Sequence, residues 1–360
     1  MMSMMKEKNL AISNMFFMLG LCFGSLSSRM ATIKGGLALS DGVFGTVLFA
    51  MSAGVVVSLP ISGWAIAKLG SRVVDVAAIL INATLLLLVP FAATVPQLAV
   101  LLFSCGFAYS AVNVSNNMQA SIAEAVSGKT RLPFFHGIWG VAGFVGAGIG
   151  ALMIGRDVAL LCRRALFDKP ELEQTGRVFA IPDRSLFNYG LIVFCSMACE
   201  GIMYDWSVVY FQDVVSVDRK YIGLGFTVFM AAMTIGRLML NRFVDRIGVR
   251  RTLQWGGMLA FTGMTLTTWL PSLVTSIIGF FLVGLGICAI IPLVAGAAAR
   301  SSSMAPSAAI AAVLTIGFLG TLIGPPLIGF LSETVGLRYA FLVCVALSLG
   351  VIYRAGKIPL

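Results

Sequence analysis

Charge is scarce in this sequence. Asp, Glu, Lys and Arg make up 11% of its 360 residues, against about 25% in soluble domains. No polar stretch is long enough to fold as a sizeable soluble domain. Histidine occurs once, at His136, so a nucleophilic Ser/Cys–His constellation cannot be assembled and an enzyme is not expected. A G-x-x-x-x-G-K-[ST] phosphate loop is missing, which argues against direct use of ATP. The seven cysteines form no metal-type cluster. Cys195 and Cys199, one helical turn apart, come nearest to a ligand pair, but small polarizable packing residues are the simpler reading. Neither a metal nor a cofactor is expected. The first apolar run, behind Lys6 and Lys8, lacks a small-residue cleavage site and reads as a retained span.

What the sequence has in abundance is apolar residue, 59% of the chain. Runs at 10–31, 44–67, 73–94, 97–123, 133–155, 186–212, 221–243, 252–270, 274–298, 307–331 and 337–355 are each long enough to cross a hydrocarbon core of about 30 Å as a helix. The expected class is an all-α polytopic membrane protein. Gly143, Gly146 and Gly150 recur as Gly317, Gly320 and Gly324, 174 positions on. Small residues at this spacing let helix backbones approach closely, and flexing helices are the alternative use.

Two short loops match as well. Gly63, Lys68, Gly70 and Arg72 mark one; Asp245, Arg246, Gly248 and Arg250 mark the other, 178 positions on. Basic loops belong on the cytoplasmic side, so an even number of crossings must separate them. Only five runs do. The shortfall lies after Gly155, where a sixth span is shortened or missing. Residues 163–184, rich in arginine, then read as a cytoplasmic linker between an N-terminal bundle, 1–162, and a C-terminal bundle, 185–360. With parity restored to twelve crossings, the outer side keeps Arg29, Lys34, Arg156, Arg219, Lys220 and Arg338, and the inner side takes the other 19 of the 25 Lys and Arg. The net charge of +10 is then an orientation signal in the inner membrane, with both termini cytoplasmic, and no nucleic acid is implied.

At these loops the chain resembles the major facilitator superfamily. The first copy has Ala67 where the family's signature carries an acid, and the second has Asn241 at the leading glycine. Ser28-Arg29, Ile33-Lys34, Leu39 to Gly42, Asn113 to Gln119, His136 to Gly140, Glu200-Gly201, Asp205 to Ser207 and Gly236-Arg237 look like a poorly characterised bacterial branch near the fucose permeases. The resemblance implies two pseudo-symmetric six-helix bundles around a central cavity. Spans one, four, seven and ten, counted with the sixth restored, would line it.

Polar residues inside hydrocarbon are costly and are functional candidates by default. Span four carries Asn113, Asn116, Asn117, Ala120 and Glu124 on one helical face. Its amides offer donors and acceptors to a hydroxylated solute, or to neighbouring helices. Glu124 lies near the cytoplasmic end, where gating suits it. Span seven carries Ser196, Glu200, Tyr204 and Ser207 on one face. Glu200 stands about 14 residues, roughly 21 Å, into the span, where desolvation favours a reversible proton; a permanent pair with an Arg or amide is the alternative. Asp205 lies nearer the outer surface and could meet Arg29 as an outer gate, unless Arg29 snorkels to the headgroups. His136 is a proton carrier or a structural donor. Trp139, like Tyr204, could stack on a solute ring or simply pack. Arg237 is expected to face the interior or the inner surface.

These residues point to a secondary active transporter, a symporter moving a small polar organic solute, such as a sugar or sugar derivative, by alternating access and coupled to protons. Its other partner is the lipid bilayer, and a monomer suffices. An exporter of amphipathic compounds and a non-transporting sensor on a transporter fold remain as alternatives.

Overall fold

The structure, a computed structural model, describes residues 2–127, 132–149, 186–218, 221–301 and 306–358. Every regular element among them is helical. In order they are α1 (Met2–Ser27), α2 (Met30–Gly36), α3 (Asp41–Leu69), α4 (Ser71–Leu88), a 3-10 turn (Val89–Phe91), α5 (Val95–Ser127), α6 (Leu132–Ile149), α7 (Phe187–Asp213), α8 (Leu224–Ile247), α9 (Val249–Trp269), α10 (Leu273–Ile287), α11 (Ile290–Ser301), α12 (Pro306–Val335), α13 (Leu337–Ala340) and α14 (Leu342–Ala355). Each of the eleven expected runs is occupied by helix over its described residues; 150–155 of the fifth run lie outside them. Eight of the described helical stretches are long and apolar enough to cross a bilayer, and Phe134–Gly146 and Leu224–Leu240 are shorter apolar ones. The shortened sixth span and the linker 163–184 lie outside the described residues.

Local sequence explains where the helices stop. Gly70, Gly248 and Gly336 have φ of +85°, +79° and +80°, a backbone region that glycine enters without steric cost. At each, one residue separates two helices. Asp41 opens α3, where a negative charge complements the helix dipole. Ser272 and Thr275 cap α10 reciprocally. The expected run 274–298 is broken into α10 and α11 around Cys288. Pro292 has no N–H to give the Cys288 carbonyl, and its ring crowds that group.

The chain clusters into two compact units: Met1–Ser28 with Ala50–Thr175, and Arg29–Phe49 with Gly176–Leu360. In the first, α1 packs on α6 and α4 on α5. A methyl added at Gly24 would fall 2.1 Å from the Gly143 carbonyl oxygen, and one at Gly146 would fall 2.5 Å from that of Leu21. In the second, α7 packs on α12 and α9 on α10. There Gly320 opposes the Phe194 carbonyl at 2.3 Å from the same kind of methyl. Gly146 and Gly320 of the 174-position repeat thus stand at helix crossings too close for a side chain, as the packing reading expects.

The internal repeat is also visible in one exact pair of contacts. Gly106 on α5 faces the Met51 carbonyl of α3, and Gly284 on α10 faces the Phe229 carbonyl of α8. Both members of the pair advance by 178 positions. In α1 and α7 the register differs. Leu21 and Phe194, which present the carbonyls to Gly146 and Gly320, are 173 apart.

Candidate functional site

The second unit places the acid of α7 beside a base of α8. Glu200 lies at mid-helix, and Tyr204 stands one turn further along. The Tyr204 hydroxyl donates to Glu200 Oε1, and its ring packs edge-on to Phe229, with centroids 5.7 Å apart. Arg237 of α8 brings Nη2 to 3.3 Å from the same Glu200 oxygen, with side-chain exposures of 15% for Arg237 and 11% for Glu200. The expected face of α7 is thereby resolved into a hydrogen-bonded pair, Glu200 and Tyr204. Ser196 and Ser207 are buried, with hydroxyls that meet no hydrogen-bond partner.

The first unit splits the amides of α5. Asn117 Nδ2 donates to the Asn113 backbone oxygen at 2.8 Å and to Asn113 Oδ1 at 3.1 Å. His136 Nε2 of α6 lies 3.1 Å from Asn117 Oδ1, and Phe16 closes on the imidazole with centroids 5.3 Å apart. Asn113, Asn117 and His136 are half-buried. Asn116 differs. It is fully buried and turned towards Asp75 of α4. Trp139 is buried, 5.5 Å from the ring of Phe23. Glu124 is half-buried near the end of α5.

The segment between α1 and α3 carries a second charged cluster, in the second unit. Lys34 Nζ lies 2.6 Å from Asp41 Oδ1 and 2.7 Å from Asp213 Oδ2 at the end of α7. Glu333, at the end of α12, accepts from Ser40 Oγ at 2.7 Å and from the Gly42 N–H at 2.8 Å. Ser332 donates to Asp41. Burial alone would lower the Lys34 pKa; hydrogen bonds and charges from Asp213 and Asp41 outweigh it and hold the ammonium above its ordinary value. No ion pair joins Arg29 to Asp205 among the described residues: Arg29 is exposed and Asp205 half-buried. The base that meets α7 here is Lys34, five positions after Arg29.

The signature loops surround the helix junctions at Gly70 and Gly248. Gly63 and Arg72 are half-buried, while Asp245 and Arg246 are exposed. Lys68 lies over the Trp64 ring at 5.2 Å, and Arg250 donates to the Ile358 carbonyl at 3.0 Å. Among residues with described placement, no group of His, Cys, Asp and Glu could hold a metal ion.

A family model, Major Facilitator Superfamily, matches residues 189–355. An uncharacterized MFS-type transporter of Yersinia pestis is 32% identical over 353 residues, covering 93% of this chain and 91% of the relative. The chain belongs to the major facilitator superfamily. Membrane protein MosC of Rhizobium meliloti is 29% identical, covering 97% of this chain and 89% of MosC. Two solved structures share the fold. A variant of the nucleoside transporter NupG superposes with a TM-score of 0.77 at 12% identity, covering 98% of this chain and 99% of that one. A bacterial homologue of the human lysosomal transporter Spinster gives 0.69 at 13%, covering 98% and 96%. The protein is therefore a multi-pass membrane transporter of this superfamily, and a small-molecule solute is its implied cargo.

Proposed function

We propose that this facilitator is a proton-coupled symporter of a small polar organic solute, of sugar or sugar-derivative type, working by alternating access. The observation that carries the reading is the part-buried Glu200–Arg237 pair with Tyr204 on the same oxygen. A carboxylate there is stabilised by one cation and one hydroxyl. Protonation removes its charge, so the attraction of α8 for α7 weakens at the moment a proton is bound. A proton can then bias which arrangement of the helices is populated, which is the requirement for coupling. The amides and imidazole of Asn113, Asn117 and His136 supply donors and acceptors suited to solute hydroxyls.

The cluster of Lys34, Asp41 and Asp213, with Glu333 on Ser40 and Gly42, acts as a gate that fastens the segment before α3 to the ends of α7 and α12. The orientation that goes with this reading has both termini and the two signature loops on the cytoplasmic side of the inner membrane. Bundles 1–162 and 185–360 would flank the cytoplasmic linker 163–184, and the working unit would be a monomer.

Proteoliposomes loaded with a pH-sensitive dye test the reading. Pools of monosaccharides, sugar acids and nucleosides are added outside. A pool that acidifies the interior as it enters identifies a proton symporter and its solute class. Solute entry without proton movement would leave a uniporter, and failure of every pool to enter would remove the polar-solute reading.

A further inference from the structure

Asp75 is an acid without exposure and, among the described residues, without an ion pair. It lies about one turn into α4 and is fully buried, in a stretch apolar enough to cross a bilayer. Among the described residues no ion pair reaches it. α4 packs on α5, on α1 and on the 3-10 turn. The other charged side chain of α4 is the half-buried Arg72, three residues before Asp75; the charged and titratable side chains described on the packed elements are Cys105, Tyr109 and Glu124 of α5, and Glu7, Lys8 and Cys22 of α1. None has a hydrogen bond or ion pair with Asp75.

What faces Asp75 is an amide. The Asn116 carboxamide lies 3.0 and 3.3 Å from its two carboxyl oxygens. Beside it Gln119 Nε2 donates to the Ser71 hydroxyl at 2.9 Å, and both residues are buried. An isolated charge in such surroundings is expensive, and a carboxyl group avoids the cost by taking up a proton. A carboxamide serves both forms of the acid. With its nitrogen turned to Asp75 it donates to a carboxylate; with its oxygen turned there it accepts from the protonated acid. A half-turn of Asn116 follows the proton and keeps the carboxyl partnered in each state.

The repeat provides an independent argument. At the 178-position register of Gly106 and Gly284, the residues Ser71, Asp75, Asn116 and Gln119 fall on Val249, Leu253, Val294 and Ala297. Leu253 and Val294 are fully buried. The second unit therefore fills these positions with apolar side chains. Packing does not demand the polar set, and a buried acid that packing does not demand is a functional candidate.

We infer that Asp75 is a proton-carrying site of the first unit, with Asn116 as the partner that adapts to its charge state. The proton comes from water and returns to it, and only the carboxyl O–H bond forms and breaks. The site's use in a transport cycle rests on the transporter reading, while its titration does not depend on Glu200.

Infrared difference spectra of the reconstituted full-length protein test the site. Spectra taken between about pH 5 and about pH 9 report the carbonyl stretch of protonated carboxylic acids. A band that titrates in this range, is lost in Asp75→Asn and is retained in Glu200→Gln is the expected result. Asp75→Leu copies the second unit, tolerates burial, and should lose the same band. Asn116→Leu keeps the acid but removes the amide, and should move the midpoint by about one pH unit. The inference is overturned if neither Asp75 variant alters a carboxylic-acid band, or if the Asp75 band stays constant across the range. A titrating band lost only in Glu200→Gln would leave the symporter reading standing without this site.

Discussion

Arg237 reaches Glu200 across a helix–helix contact, Nη2 to Oε1 at 3.3 Å, with both side chains largely withdrawn from their surroundings. The acid is 37 positions from the base in sequence and on a different helix. Such a pair is costly to split, because removing one partner strands the other charge in a poor solvent. It is not costly to replace whole, since well-packed apolar residues avoid desolvation altogether.

That asymmetry gives the first prediction. Arg237→Met should lower unfolding stability by about 3–5 kcal/mol, read from denaturation in detergent. Combining it with Glu200→Leu should recover most of the loss. Equal, additive losses from the two single variants would mean that the residues are not coupled in the fold.

Lys34 supplies a prediction in pH. Its pKa is raised in the folded protein by Asp213 and Asp41 against the opposing effect of burial. The stability it contributes is therefore fully present below the ordinary lysine value of about 10.4, and is lost as pH rises through the higher folded value. Thermal unfolding of the wild type should carry a stabilising increment over Lys34→Met that is constant from neutral pH to about pH 10 and shrinks above it. An increment that vanished already at neutral pH would detach Lys34 from this cluster.

The glycine crossings predict matched effects in the two units. A methyl at Gly106 would lie 2.0 Å from the Met51 carbonyl oxygen, and one at Gly284 would lie 2.4 Å from that of Phe229. Gly106→Ala and Gly284→Ala should each destabilise by about 1–3 kcal/mol through overpacking. Gly35, with nothing within 4 Å of the added methyl, is the control. Gly35→Ala should be neutral or gain up to about 1 kcal/mol from helix propensity. Unfolding curves that ranked the three variants alike would remove the close-crossing account.

Much of this architecture is legible in the sequence because lipid imposes a simple rule: long apolar runs become helices. All eleven runs are helical over their described residues. The Glu200–Tyr204 contact is legible too, since residues four apart share a helix face. Arg237 as the partner is not, because nothing in a helix period says which neighbour it packs on. The basic residue of the gate shows the same limit. Arg29 and Lys34 both occur in the segment after α1, and the 178-position register does not hold between α1 and α7. The 173-position spacing of Leu21 and Phe194 shows the shift. The face shared by Asn113, Asn116 and Asn117 divides, because adjacent positions on α5 point to different neighbours. Asp75 had a signal in the sequence: an acid inside the run 73–94 whose repeat position is Leu253.

The half-buried amides predict a graded effect on solute binding. Once a solute is in hand, Asn113→Ala or His136→Ala should weaken its affinity by about two- to tenfold, the worth of one uncharged hydrogen bond. Calorimetry on purified variants measures this. Unchanged affinity in both would return this cluster to helix packing.

Proton coupling through Glu200 is the central claim, and Glu200→Gln in proteoliposomes tests it most directly. The variant keeps a neutral polar group at the position but has no proton to exchange. Solute exchange between the two sides should persist, while accumulation driven by an imposed pH gradient should be lost. Gradient-driven accumulation at the wild-type level in Glu200→Gln would contradict the account.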